Sequence, residues 1–110
     1  MDRKDWLRVC GADEIAEGYG RQVILGEETV AVFKCEGRFY GLHGICPHRG
    51  GPLGMGDVEA MAVVCPLHGW AFDLEDGTMR GNPIVTVPTY DVIVEEDAVY
   101  LKKEPRETMA

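Results

Sequence analysis

The chain has 110 residues and carries 19 acidic against 11 basic side chains, a formal charge of −8 at pH 7. That length suits one domain with one modest core and leaves no room for a cofactor domain beside a separate catalytic one. With 45% hydrophobic and 27% charged residues general disorder is excluded, and the acidic balance argues against nucleic acid or an anionic membrane as partner, since both select Lys/Arg clusters.

Residues 2–5 are charged with no apolar run behind them, so neither a signal peptide nor a membrane anchor is expected, and the cytoplasm is the expected location. Short strand-like runs then follow one another, cut by turn residues. The first is 6–10. Residues 11–18 are the one helix candidate, with Asp13 as cap and Gly18 as stop. Strands are expected at 21–25 and 29–35, after which Glu36-Gly37 turns the chain into 38–42. Beyond a glycine-rich stretch come 62–65 and 70–74, with Glu75-Asp76-Gly77 as a hairpin turn. Runs 84–87 and 90–95 follow on either side of Pro88, and 98–102 pairs back across Glu96-Asp97. This rhythm predicts an all-β domain over 1–102, an antiparallel β-sandwich or small barrel. The polar ending 103–110, with Pro105, reads as a flexible tail.

One segment breaks the rhythm. Residues 43–56 hold five glycines and two prolines and offer no periodicity that could bury a face. Loops of this length are functional or disordered, and Cys46 and His48 favour function. Four cysteines in a chain with no secretion signal read as ligands, catalytic thiols or core residues rather than disulfides.

Two boxes carry the chemistry: Cys46-Pro47-His48-Arg49-Gly50-Gly51-Pro52-Leu53 and Cys65-Pro66-Leu67-His68-Gly69-Trp70. Their spacing is Cys-x-His, sixteen residues, then Cys-x-x-His. Coincidence is one reading. A tetrahedral Cys2His2 zinc site is another, although zinc modules usually pair like with like, and Cys-x-His is tight for two ligands of one metal. A binuclear iron–sulfur centre is the third, with each box giving its Cys to one iron and its His to the other.

The boxes resemble those of the Rieske iron–sulfur family. The resemblance runs from Trp6 to Leu101 and takes in the strand order and Gly81-Asn82-Pro83, which matches the proline-bearing loop over the cluster. It implies a Rieske fold whose base carries an inserted cluster-binding loop subdomain at about 43–72. It also implies one 2Fe-2S cluster with Cys2His2 ligation. On that pattern Cys46 and Cys65 bind the buried iron, while His48 and His68 bind the outer iron with their second ring nitrogens near solvent. Gly50, Gly51 and Gly69 would let backbone N–H groups approach the sulfides, and Trp70 would pack beneath the loops.

Departures from the respiratory branch of the family sharpen the expectation. Those members carry two further cysteines that staple the loops, and the matching positions here are Gly51 and Leu67. They also place serine and tyrosine hydroxyls against the cluster sulfurs, where this chain has Trp70 and Phe72. Losing both donors implies a potential near the low end of the Rieske range, roughly −150 mV. Between His43 and Phe72 the only formally charged side chains are Arg49, Asp57 and Glu59, so the expected ligand tip is nearly neutral on an acidic body.

Beyond the boxes the only histidine is His43, too few for the mononuclear iron site of an oxygenase catalytic subunit. No catalysis is expected from this chain alone. The resemblance implies a ferredoxin that passes single electrons from a flavin reductase to a terminal oxygenase. The alternative is the bound small subunit of an NAD(P)H-dependent nitrite reductase, where the partner is a terminal reductase subunit. His43 reads as a polar turn residue, and Cys10 and Cys35 as core thiols. The acidic run at 73–77 lacks the rest of a calcium loop and reads as a turn.

Overall fold

β-branched and aromatic residues recur in short runs along the chain, and turns, several of them glycine or acidic pairs, cut the runs so that none exceeds eight residues. In the computed structural model, which describes residues 3–47, 50–67 and 69–106, these runs build three antiparallel sheets. The first is ordered β1 (Trp6–Gly11), β10 (Ala98–Lys102), β9 (Val92–Glu95). The second is β2 (Gly20–Leu25), β3 (Glu28–Cys35), β4 (Arg38–His43), β8 (Thr89–Tyr90). The third, small sheet joins β5 (Asp57–Glu59), β6 (Ala62–Val64) and β7 (Ala71–Asp73). The first two form the all-β base, and the third belongs to the inserted subdomain. Among the described residues no helix is long and apolar enough to cross a membrane.

The central strand β3 explains how the site is seated. Its apolar run Val30-Ala31-Val32-Phe33 is buried on both faces, which is why it does not alternate. Ala31, Phe33 and Cys35 face a core shared with Leu53, Val63, Phe72, Leu74, Cys46 and Cys65. Val30 and Val32 face a second core with Cys10, Val99, Leu101 and Tyr90. Cys10 and Cys35 are thus buried core thiols, as their positions in the sequence suggest. One strand therefore ties the base to the subdomain that carries the other two cysteines.

Several local expectations change. The helix candidate at 11–18 shortens to a single 3-10 turn, Ala12–Glu14, with Gly11 rather than Asp13 at the cap position. The run 84–87 makes only an isolated bridge between Thr78 and Thr86. The expected strand 90–95 is broken at Asp91, where the chain leaves β8 on the second sheet and enters β9 on the first. The ending, expected to fray from Lys103, is held as far as Arg106. Lys103 N–H donates to Asp5 O at 2.8 Å and Arg106 N–H to Thr89 O at 2.7 Å. The Arg106 guanidinium lies 2.8 Å from Asp91 and donates to Glu75 O at 3.1 Å, joining the base to the turn after β7.

Candidate metal centre

The two cysteine boxes fold into loops of one design. In each, a proline follows the cysteine and restricts the chain's exit. Four residues after each cysteine stands a glycine in the left-handed region, Gly50 at φ 72° and Gly69 at φ 73°, where an L side chain is strained. Each loop then closes on its fifth residue: Cys46 N–H donates to Gly51 O at 2.8 Å, and Cys65 N–H donates to Trp70 O at 2.7 Å. The flanking residues pair in the same register, Ile45 with Pro52 and Val64 with Ala71. The shared Cys-Pro start is legible in the sequence. The equal offset of the two left-handed glycines is equally visible once sought, and it was the signal to find.

Both cysteines are almost fully buried, each 1% exposed, in the core under β3. Their thiols lie within hydrogen-bonding reach of one another. Burial raises the Cys65 pKa above the ordinary thiol value; the Leu67 amide, which donates to the sulfur, opposes that rise, and the Cys46 thiol adds to it. A thiol held up in this way, as that of Cys65 is, resists ionisation unless a cation balances it, and a bound metal is a cation that does so. Gly51 supplies the space. A Cβ there would stand 2.8 Å from Cys65 Sγ and 3.2 Å from Leu67 Cγ, so the first loop reaches the second only because residue 51 has no side chain. The buried thiol pair, the sulfur-directed amide and the missing Cβ fit a metal–sulfur group.

The remaining candidates fall as follows. His48 and His68, and Arg49 beside the first, lie outside the described residues. Gly50 N–H is already committed to Cys46 O at 2.8 Å, so this glycine shapes the turn rather than presenting an amide. Gly51 and Leu67 are brought together, as their matched positions imply, and all four cysteines are free thiols. Trp70 is half-buried, its ring centroid 6.5 Å from that of the fully buried Phe72. Pro83 is exposed; the described hydrogen bonds of its loop run among Met79, Asn82 and Val85, and Arg80 N–H donates at 2.8 Å to Ala71 O, on the flank of the second cysteine loop. His43 closes β4 with its imidazole 3.8 Å from Glu28, beside a cavity lined by Pro88, Tyr90 and Pro105. The acidic run after β7 is a hairpin turn: Asp73 accepts from Glu75 N–H at 2.8 Å and Asp76 from Thr78 N–H at 2.9 Å.

The family model of the Rieske 2Fe-2S domain matches residues 5–91, a span that includes both loops and β3. The chain belongs to the Rieske family. Ferredoxin CarAc of Metapseudomonas resinovorans is 33% identical over 104 residues, covering 92% of this chain and 96% of its own. Among solved structures, a chain of the oxygenase–ferredoxin complex of carbazole 1,9a-dioxygenase superposes with a TM-score of 0.86 at 30% identity, covering 94% of this chain and 98% of that one. A protein described as the small subunit of an NADH-dependent nitrite reductase from Mycobacterium tuberculosis superposes with a TM-score of 0.83 at 27% identity, covering 94% and 96%. Membership of the Rieske family implies a 2Fe-2S cluster, and protein redox partners accompany relatives of this kind.

Proposed function

We propose that this protein is a one-electron carrier, a Rieske-type ferredoxin that takes electrons from a flavin reductase and delivers them to a terminal oxygenase such as an aromatic-ring dioxygenase. The observation that carries the reading is the pair of matched loops with Cys46 and Cys65 buried side by side. Cys46 and Cys65 would ligate the inner iron of a 2Fe-2S cluster, and His48 and His68 the outer one. Such a cluster, when bound, accepts and releases a single electron. Gly51 gives the sulfurs room, Leu67 aims its amide at Cys65, and Gly50 and Gly69 shape the turns. Trp70 and Phe72 bring no hydroxyl to the sulfurs, which supports a potential near the low end of the Rieske range, about −150 mV. The likeness to ferredoxin CarAc across 96% of that protein supports a ferredoxin role. Iron, zinc and acid-labile sulfide analysis with EPR of the reduced protein tests the centre; zinc without sulfide would end the reading.

The likeness to the nitrite reductase small subunit favours a second reading, a bound subunit of a larger reductase. Size-exclusion chromatography of a native extract separates the two. A free ferredoxin elutes by itself at its mass of 12.2 kDa, whereas a subunit co-elutes with a large partner.

A further inference from the structure

The two loops share one closure but rest on unequal foundations. The second stands on the β6–β7 ladder, where Val64, Val63 and Ala62 pair in turn with Ala71, Phe72 and Asp73. The first stands on one isolated bridge, Ile45 with Pro52, on the bond from Leu53 N–H to Gly44 O at 2.9 Å, and on the bond from Gly44 N–H to Thr29 O of β3 at 2.8 Å. The next rung would pair His43 with Gly54, but His43 is already paired with Val30 and its N–H is given to Pro88 O.

Gln22, on β2, fills that gap. Its Oε1 accepts from Gly54 N–H at 2.8 Å and its Nε2 donates to Gly44 O at 3.2 Å. These are the two residues that bracket the loop. The pattern fixes the amide's orientation, since one partner is an N–H and the other a carbonyl. Both bracketing residues are buried glycines: a Cβ on Gly54 would overlap the Gln22 side chain, and one on Gly44 would stand 2.9 Å from Gln22 Oε1 and 3.0 Å from Thr29 Cγ2.

We infer that Gln22 is a positioning residue for the first ligand loop, clamping its two ends so that Cys46 is held at fixed geometry opposite Cys65. The inference rests on the reading of these loops as cluster ligands. Neither near-isostere of glutamine keeps both bonds. Met keeps the length and loses both bonds. Glu keeps the first bond and sets a carboxylate oxygen against the Gly44 carbonyl.

The test uses the cluster-loaded full chain and its Gln22→Met and Gln22→Glu variants, with Arg106→Ala as a control that removes hydrogen bonds elsewhere. Loss of visible absorbance under a chelator should run about tenfold faster in Gln22→Met, the factor expected for removing bonds to a buried amide. Its midpoint should fall as the loop amides loosen around the sulfurs. Gln22→Glu should change in the same direction, and Arg106→Ala should leave both readouts at the wild-type values. Wild-type loss rate and midpoint in either Gln22 variant would overturn the inference. Should neither variant accumulate folded, amide exchange in the wild type decides: Gly54 N–H protected like Cys46 N–H supports the clamp, and a freely exchanging Gly54 overturns it. Absence of iron and sulfide from the wild-type protein would instead sink the cluster reading itself.

Discussion

Gly50 and Gly51 are adjacent, and the structure gives them opposite reasons to be glycine, which makes their substitution a sharp test of the site. Gly51 does not adopt a left-handed conformation, so Ala is acceptable to its backbone, yet the added Cβ would stand 2.8 Å from Cys65 Sγ and 3.2 Å from Leu67 Cγ. Comfortable contact between such atoms needs about 3.5–4.0 Å, so roughly 1 Å must be found. Leu67 is 43% exposed and can swing outward; Cys65 is 1% exposed and cannot. Overpacking of this kind costs about 1–3 kcal/mol, and here the displaced atom is a sulfur that also meets Cys46 and the Leu67 amide. Gly50 is the reverse case: nothing lies within 4 Å of its would-be Cβ, but its φ is 72°. Ala there pays only the left-handed penalty, about 1 kcal/mol, worth roughly 4–8 °C in Tm for a domain of this size. We expect Gly51→Ala to be purified with most of its iron and sulfide missing. Gly50→Ala should keep both and melt earlier. Iron and sulfide per chain, read beside a thermal melt, check this. Full iron content in Gly51→Ala, or heavier iron loss in Gly50→Ala than in Gly51→Ala, would refute the steric argument.

Three further outcomes follow from other contacts. Trp70→Ser leaves the backbone acceptor of Cys65 N–H in place and adds a hydroxyl donor, so spectroelectrochemistry should find the midpoint raised by up to about 40 mV, one hydrogen bond of ~1 kcal/mol; no shift would remove the hydroxyl argument. Arg106→Ala removes the bonds to Asp91 and to Glu75 O, and the Arg106 and Asp91 side chains are 40% and 56% exposed; at about 0.5–1 kcal/mol it should lower Tm by a few degrees and leave iron content unchanged. Glu17 accepts from the Gly37 and Glu36 amides at the β3–β4 turn, and these bonds hold its carboxyl below the ordinary value of 4.5. A depressed folded pKa gives stability that is present above about pH 4.5 and lost as pH falls through the folded value. Glu17→Gln should therefore melt lower than wild type at neutral pH and show a flatter decline of Tm into acid, and parallel acid curves would contradict it.

What the sequence reveals and what it hides divide along physical lines. The hairpins of the base are legible because their turns announce themselves. Glu36-Gly37, both at positive φ, carries the glycine such a turn favours, and Glu96-Asp97, also both positive, carries an acidic residue that tolerates it. The β5–β6 hairpin is silent for the opposite reason: its turn is Ala60-Met61, at φ 48° and 64°, residues that do not choose that region. Tertiary bonds hold it there. Arg80 donates to Ala60 O at 2.8 Å, Leu74 N–H donates to Met61 O at 2.9 Å, and Met61 Sδ receives the Cys35 thiol at 3.4 Å. Strand β5 therefore falls just past the aperiodic segment 43–56, in a stretch to which the sequence assigns no strand. The cysteine boxes are legible because metal-ligand chemistry restricts residue type and spacing together. Gln22 is not, because a polar residue on an edge strand looks solvated until its partners, 22 and 32 residues away, are known.

The contrast between the two loops also bears on what an electron carrier requires. Charge enters and leaves such a centre while its ligands should stay put, and preorganised groups do that better than groups that must rearrange. The second loop gains its rigidity from the β6–β7 ladder, and the first from one bridge, the Gly44–Thr29 bond and the Gln22 amide. Buried glycines at 44, 51 and 54 bring three separate elements within reach of one another: β2, the first loop and the second loop. The glycine surplus of the chain is thus mostly not flexibility. At these positions it removes side chains so that Gln22, Cys65 and Leu67 can occupy the space. Replacing any one of the three glycines would set one of those atoms in motion. The same residues that leave segment 43–56 without hydrophobic periodicity are the ones that hold Cys46 still.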